Sequence, residues 1–167
     1  MNESFWKAAS ILVSALSLGV AFWLYTWVKA QPSSNKEIMR VGDLIKKGAN
    51  TFLRREYGLL ARFAGAVCLL ILLFLPQPIW NGYWVSNLSM VFAYICGTLL
   101  SALAGKIGIQ VATIANVKSA EASAKGITPS FMAGFRGGAV MGMAVVGLSL
   151  LGVTLVLVFT EDPSIVL

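Results

Sequence analysis

Four long apolar stretches constrain this chain more than any other feature of its sequence. An α-helix needs about 20 mostly apolar residues to cross a hydrocarbon layer about 30 Å thick. The four stretches meet this requirement and run over residues 8–28, 58–75, 84–105 and 137–160. Only Arg62, near the start of the second, interrupts them. The sequence therefore predicts an all-α membrane protein whose single transmembrane region contains four antiparallel helices.

The composition excludes several other classes of protein. Hydrophobic residues make up 57% of the 167 residues and charged residues 12%, where soluble domains average about 45–50% and 25%. These values exclude a disordered chain, a nucleic-acid-binding domain and most cytosolic enzymes. The net charge of +6 is concentrated beside the apolar stretches and does not spread along a polar face. Because the chain has no histidine, it has no imidazole group to act as a base or as a metal ligand.

The lysines and arginines predict the orientation in the membrane. Seven lie between the first and second stretches, and four lie between the third and fourth. The N-terminal segment has only Lys7, and the C-terminal tail carries Glu161 and Asp162. Because basic loops stay cytoplasmic, both termini are expected to be extracytoplasmic, with residues 29–57 and 106–136 cytoplasmic. The two groups are Lys29, Lys36, Arg40, Lys46, Lys47, Arg54 and Arg55, and then Lys106, Lys118, Lys125 and Arg136.

A cleaved signal peptide is the alternative for the first apolar stretch, since residues 28–30 loosely resemble a cleavage site. The stretch is longer than the 7–15-residue core of a signal peptide. Cleavage would also place the segment with seven basic residues outside the cell. Both arguments favour a first membrane span.

The helical pattern continues beyond the predicted membrane edge. Apolar residues recur at close to helical spacing from Glu37 to Tyr57 and again over residues 107–115. Pro129 is well placed to open the next helix. We therefore expect long helices that are prolonged into the cytoplasm.

Small residues recur every four positions in the third and fourth stretches. Such spacing lets helices approach closely in a bilayer, where no hydrophobic force draws them together. The contacts could join the four helices to each other or to helices outside this chain, and the spacing does not separate these alternatives. If the small residues dock onto other helices, the set Gly134, Gly138 and Gly142 would be unfilled in this chain. The first two stretches contain few small residues and are expected to lie at the periphery. The two sets are Gly97, Ser101 and Gly105, and Gly134, Gly138 and Gly142.

The charged residues do not form a recognisable catalytic site. No two acids on the predicted cytoplasmic side lie three or four positions apart, so no carboxylate pair or metal site forms within one helix. Glu121 is spaced for an ion pair with Lys125. Arg136, at the edge of the fourth stretch, either extends to lipid headgroups or pairs with an acid on a neighbouring helix, and its small neighbours favour pairing. The sequence predicts no catalytic, cofactor-binding or metal-binding residue.

Three segments in order resemble the membrane-bound, ion-pumping pyrophosphatases. Residues 48–57, GANTFLRREY, resemble that family's G-A-x-x-F-L-x-x-E-Y segment. Residues 112–116, ATIAN, and 135–142, FRGGAVMG, resemble its A-T-x-A-N and F-R-[GS]-G-A-V-M-G stretches. The resemblance runs from about Val41 to Leu151. Lys118, where the family usually has arginine, is a mild departure.

The resemblance implies a homodimer of much longer subunits, each with sixteen helices, that couples magnesium-pyrophosphate hydrolysis to pumping of protons or sodium ions. The family's Mg²⁺-binding carboxylates and ion gate lie on an inner ring of later helices, and some members also need K⁺. The four helices matched here correspond mostly to the outer ring. The resemblance therefore implies a packing role for this segment, bound to the remaining helices of the pump and to lipid, with no Mg²⁺ of its own.

Two hypotheses remain for the chain as a whole. It is the N-terminal part of such a pump, or it is a free-standing four-helix scaffold or assembly subunit without enzymatic activity. The C-terminal residues 161–167 end on an apolar triplet, which weakly favours a truncated pump.

Overall fold

The chain forms a bundle of long helices in a computed structural model that describes residues 3–75, 78, 80, 82 and 84–160, with side chains described from residue 5 to residue 159. The C-terminal residues 161–167, including Glu161 and Asp162, lie outside the described residues. Within the described part, a short 3₁₀ turn, Ser123–Lys125, precedes the last of four α-helices. The helices are α1 (Glu3–Ala30), α2 (Lys36–Phe74), α3 (Trp84–Ala122) and α4 (Ile127–Thr160).

All four helices are long and apolar enough to cross a membrane. The 39 residues of α2 and of α3 correspond to about 58 Å at 1.5 Å per residue, nearly twice the hydrocarbon thickness. The prediction that the helices continue past their apolar spans is therefore confirmed. The side of the membrane reached by each end stays a prediction.

Local signals set where the helices begin and end. The Asn35 side chain accepts hydrogen bonds from the backbone N–H groups of Glu37 and Ile38, at 3.0 and 3.3 Å, and so caps the first turn of α2. Between α3 and α4 the chain turns at Gly126, whose φ of 122° is a conformation that residues with a side chain rarely adopt. The α1–α2 and α3–α4 connections lie at the same end of the bundle, because Lys118 and Glu121 near the end of α3 bond to Gln31 and Ser34. We call this the basic end after its lysines and arginines.

The helices pack side by side in the order α1, α4, α3, α2. Helix α4 lies between α1 and α3, and α3 also contacts α2. Neighbouring helices run in opposite directions, since contacts join increasing positions on one helix to decreasing positions on the next. A core shared by α1, α3 and α4 contains Ala21, Leu24, Val111, Val140 and Ala144.

Helix α1 is bound to the bundle more closely than its sequence suggested. The Ser14 hydroxyl donates to the Gly147 carbonyl at 2.6 Å, and the Ser17 hydroxyl donates to the Met143 carbonyl at 2.7 Å. Both serines are buried, with Ser14 fully enclosed. The expectation that α1 is poor in small contact residues is wrong, because these serines allow close approach and also satisfy their own hydroxyls.

Candidate functional site: the open face of α4 and the basic end

Each of the three family-like segments lies where two helices touch. On α2, Leu53 is buried and the Tyr57 hydroxyl donates to the Ala102 carbonyl of α3 at 2.6 Å. On α3 and α4, Ala115 lies directly against Gly137. These motifs therefore determine how closely neighbouring helices pack, and none of them brings acids together.

Of the glycines at which α3 and α4 meet, Gly137 leaves the least room for a side chain, because Ala115 lies directly against it. A Cβ atom built on Gly137 would lie 2.3 Å from the Ala115 Cβ, far inside van der Waals contact. Gly147 has a similar position against α1, where an added Cβ would lie 2.8 Å from the Leu18 Cγ and 3.2 Å from the Ser14 carbonyl oxygen. The glycines at these two positions are therefore required by close helix approach.

Gly134, Gly138 and Gly142 of α4 lie on an exposed surface of the helix. An added Cβ at Gly138 or Gly142 would meet no atom within 4 Å, and at Gly134 its nearest neighbour would be the Ser119 Oγ at 3.6 Å. Among the described residues, the prediction that this set is unfilled is confirmed for Gly138 and Gly142, whereas Gly134 is exposed but has Ser119 beside it. We call this surface the open face of α4; its exposed residues, spaced three or four apart, are Phe131, Gly134, Gly138, Gly142, Val145 and Ser149.

The open face continues into a groove of about 760 Å³ between α2, α3 and α4. Gly97, Ser101 and Gly105, the small residues predicted as a contact stripe on α3, line this groove together with Val145 and Ser149 of α4. The α3 set thus lines this concave apolar surface, and the open face of α4 adjoins it through Val145 and Ser149. Its shape suits another apolar helix more closely than it suits a polar substrate.

Arg136 contacts an aromatic ring, and within the described residues it has no acidic partner. Its guanidinium carbon lies 3.9 Å from the centre of the Trp27 ring, a cation–π geometry that contributes about 0.5–1 kcal/mol at an exposed site. The favoured prediction was that Arg136 pairs with an acid on a neighbouring helix, and the described residues of the four helices place no acid beside it. The sequence predicted no role for Trp27. The position of Trp27 at the end of the first predicted span and of Arg136 at the start of the fourth could have indicated this contact.

Glu121 bonds to the α1–α2 connection, so the predicted ion pair with Lys125 is wrong. Its carboxylate accepts hydrogen bonds from the Ser34 backbone N–H, from the Ser34 hydroxyl at 2.8 Å and from the Asn35 N–H at 3.2 Å. These bonds, led by the Ser34 N–H, lower the pKa of the Glu121 carboxyl below its ordinary value. Spacing along one helix could not reveal this partner, because Ser34 is 87 residues away in sequence.

One turn earlier on α3, Lys118 binds the same connection. Its ammonium group donates to the Gln31 carbonyl at the end of α1. The positive charge there also suits the partial negative charge at a helix C-terminus. Lys118 and Glu121 together hold the α1–α2 connection against α3.

Replacing Glu121 with glutamine is expected to loosen this connection and lower the thermal midpoint slightly. Since the folded-state pKa is lowered, the carboxylate stabilises the fold fully above its ordinary pKa and loses this effect as the pH falls through the lowered value. Thermal unfolding followed by circular dichroism between neutral and acidic pH should therefore show a midpoint that falls with pH. This pH dependence should be smaller in Glu121→Gln. Lys125→Gln, which touches no described partner of Glu121, should leave the profile unchanged. Equal effects of the two changes would contradict the assignment.

The acidic side chains that the structure describes are not arranged as a site that fits Mg²⁺. Among the described residues, no group of three or more Cys, Asp or Glu is placed to hold a metal ion. Glu37 pairs with Arg40 at 3.1 Å on the exposed surface of α2, and Glu121 is occupied by the α1–α2 connection. No step of hydrolysis can therefore be assigned to these residues.

Comparison with known sequences gives consistent matches. The family model described as "Inorganic H+ pyrophosphatase" matches residues 15–166. A K(+)-insensitive pyrophosphate-energized proton pump of Methanosarcina mazei is 30% identical over 132 residues, covering 79% of this chain and 18% of the pump. A K(+)-stimulated pyrophosphate-energized sodium pump of Thermotoga maritima is 32% identical over 138 residues, covering 81% and 18%. K(+)-insensitive pyrophosphate-energized proton pump 2 of Moorella thermoacetica is 36% identical over 128 residues, covering 77% and 17%.

Proposed function

Since this chain belongs to the inorganic H+ pyrophosphatase family, we propose that its four helices form part of the outer wall of a membrane pump. That pump would couple hydrolysis of magnesium pyrophosphate to transport of protons or sodium ions. The names of relatives, which include proton and sodium pumps, support this assignment. The chain spans about a fifth of the length of the relatives that it matches. The activity, the Mg²⁺ site, any K⁺ requirement and the homodimer would belong to the whole pump.

We propose an orientation in which the basic end of the bundle is cytoplasmic and both termini are extracytoplasmic. The distribution of lysine and arginine supports it, because basic connections are retained on the cytoplasmic side. The parts of α2 and α3 nearest this end would then extend beyond the membrane. This orientation directs the Glu121 and Lys118 contacts toward the cytoplasm.

The open face of α4 is the observation that best supports a packing role. The same helix uses Gly137 and Gly147 as contact points with α3 and α1, while an added Cβ at Gly138 or Gly142 would meet no described neighbour within 4 Å. In a bilayer, small residues promote association because they let two backbones approach. We propose that remaining helices of the pump cover this face and the adjoining groove.

Pyrophosphate hydrolysis separates this role from a complete enzyme. Membranes containing the chain alone should show no Mg²⁺-dependent hydrolysis, because the described acids form no metal site. A chimera, in which the chain replaces the matched portion of the Moorella thermoacetica pump, should hydrolyse pyrophosphate. Immunoblotting would verify that equal amounts of both proteins reach the membrane.

Hydrolysis by the chain alone would contradict a purely structural role. An inactive chimera that is correctly inserted would favour the alternative, a four-helix scaffold that does not assemble into a pump. Activity confined to the chimera is the outcome that we expect.

A further inference from the structure

The contact between Arg136 and Trp27 joins two span boundaries that the sequence predicts separately. Trp27 lies at the end of the first predicted span, 8–28, and Arg136 immediately precedes the fourth, 137–160. Their side chains meet with the guanidinium 3.9 Å from the ring centre. Both residues should therefore lie at the same interface of the bilayer, at headgroup depth, where tryptophan is enriched.

The contact with Trp27 is not a hydrogen bond, so it leaves the N–H donors of the guanidinium available. In the described part of the chain, Arg136 donates no side-chain hydrogen bond and forms no ion pair. The guanidinium carbon lies over the Trp27 ring, and the N–H donors of a guanidinium point outward in its own plane. A planar fork held in one orientation is well suited to bind two oxygens of one phosphate group.

The open face of α4 is on the other side of the helix from Arg136. Gly134 and Gly138 are each two residues from Arg136, which corresponds to about 200° around an α-helix. A helix that covers those glycines would not reach the guanidinium. The surroundings of the contact are instead large and exposed, as expected for a surface facing lipid: Trp23, one turn before Trp27, is 61% exposed, and so is Phe135.

We propose that Arg136 and Trp27 form a binding site for the phosphate of an anionic lipid headgroup. The guanidinium binds the phosphate oxygens, the Trp27 ring holds the guanidinium in place, and the exposed aromatic residues contact the acyl chains. Arg136 would thereby anchor the α1–α4 pair to the cytoplasmic leaflet, which attracts basic segments through its negative surface potential.

Lipid binding to the purified chain tests this site. Native mass spectrometry would compare retention of phosphatidylglycerol with retention of phosphatidylcholine. The chain should retain phosphatidylglycerol preferentially, and Arg136→Gln should reduce that preference about tenfold, as expected for loss of a charge-assisted hydrogen bond. Arg136→Lys and Trp27→Leu should each reduce the preference less. Arg136→Lys keeps the positive charge, and Trp27→Leu keeps the guanidinium and its N–H donors.

Arg62 provides the matched control. It is an exposed arginine near the start of the second span, so Arg62→Gln removes the same charge at the same predicted interface. The Arg62→Gln chain should keep its preference for phosphatidylglycerol. Unchanged helical content would verify that all variants are folded. An equal loss in Arg62→Gln, or full preference in a folded Arg136→Gln, would overturn the proposal.

Inorganic phosphate distinguishes the two sources of the ligand. An excess of inorganic phosphate should leave phosphatidylglycerol retention unchanged, since free phosphate lacks the acyl chains that add to binding. Loss of the Arg136-dependent preference in phosphate would assign the site to a soluble anion and overturn the lipid assignment.

Discussion

Replacing Gly137 with leucine is expected to separate α4 from α3, whereas the same change at Gly138 should leave the chain folded. A Cβ on Gly137 would lie 2.3 Å from the Ala115 Cβ, and both atoms are fixed directly to helix backbones. Neither can rotate away, so the helices must move apart, at a cost of about 3 kcal/mol or more. At Gly138 an added Cβ meets no atom within 4 Å. Unfolding of both variants in detergent micelles, followed by circular dichroism, measures the difference.

A compensating change isolates the cause. Gly137→Ala should destabilise the chain, and adding Ala115→Gly should recover much of the loss, because it removes the atom that the new Cβ meets. The recovery will be incomplete, since glycine within a helix costs about 1 kcal/mol relative to alanine. A coupling energy near zero between the two positions would contradict the contact, as would equal destabilisation by the Gly137 and Gly138 variants.

The helices could be predicted from the sequence because their signals are local. Apolar length predicted the four spans, and helical spacing from Glu37 to Tyr57 predicted that α2 continues well beyond its span, as its bounds of Lys36 and Phe74 confirm. The three motifs also indicated the family. Each of these inferences depends on residues close together in the chain, and tertiary contacts were not needed.

Contacts between distant segments could not be predicted in this way. Lys125 lies four positions after Glu121 and is suitably spaced for an ion pair, yet the path of the α1–α2 connection brings Ser34 to the Glu121 carboxylate. Small neighbours of Arg136 suggested an acidic partner, but the rotation of α4 directs its side chain to Trp27. Partner identity here depends on how each helix is rotated, which a single sequence does not specify.

The glycines of α4 give the clearest example. Gly137 and Gly138 are adjacent and belong to the same motif, and the four-residue spacing that places Gly138 in a small-residue set does not say which of the two meets another helix of this chain. Only the packing separates them, with one against Ala115 and the other on the open face. That division makes the proposed outer-wall role testable at single residues.

Pyrophosphate hydrolysis by a glycine variant of the chimera tests the central claim most directly. Gly138→Leu, in this chain joined to the rest of the Moorella thermoacetica pump, should reduce hydrolysis at least about tenfold, the factor produced by 1.4 kcal/mol of lost docking energy. The matched control is Gly19→Leu on α1, since Gly19 is also exposed and an added Cβ there meets nothing within 4 Å. We expect the control to retain activity because we propose that this surface of α1 faces lipid. A Gly138→Leu chimera as active as its parent would contradict an outer-wall role in which other helices cover α4.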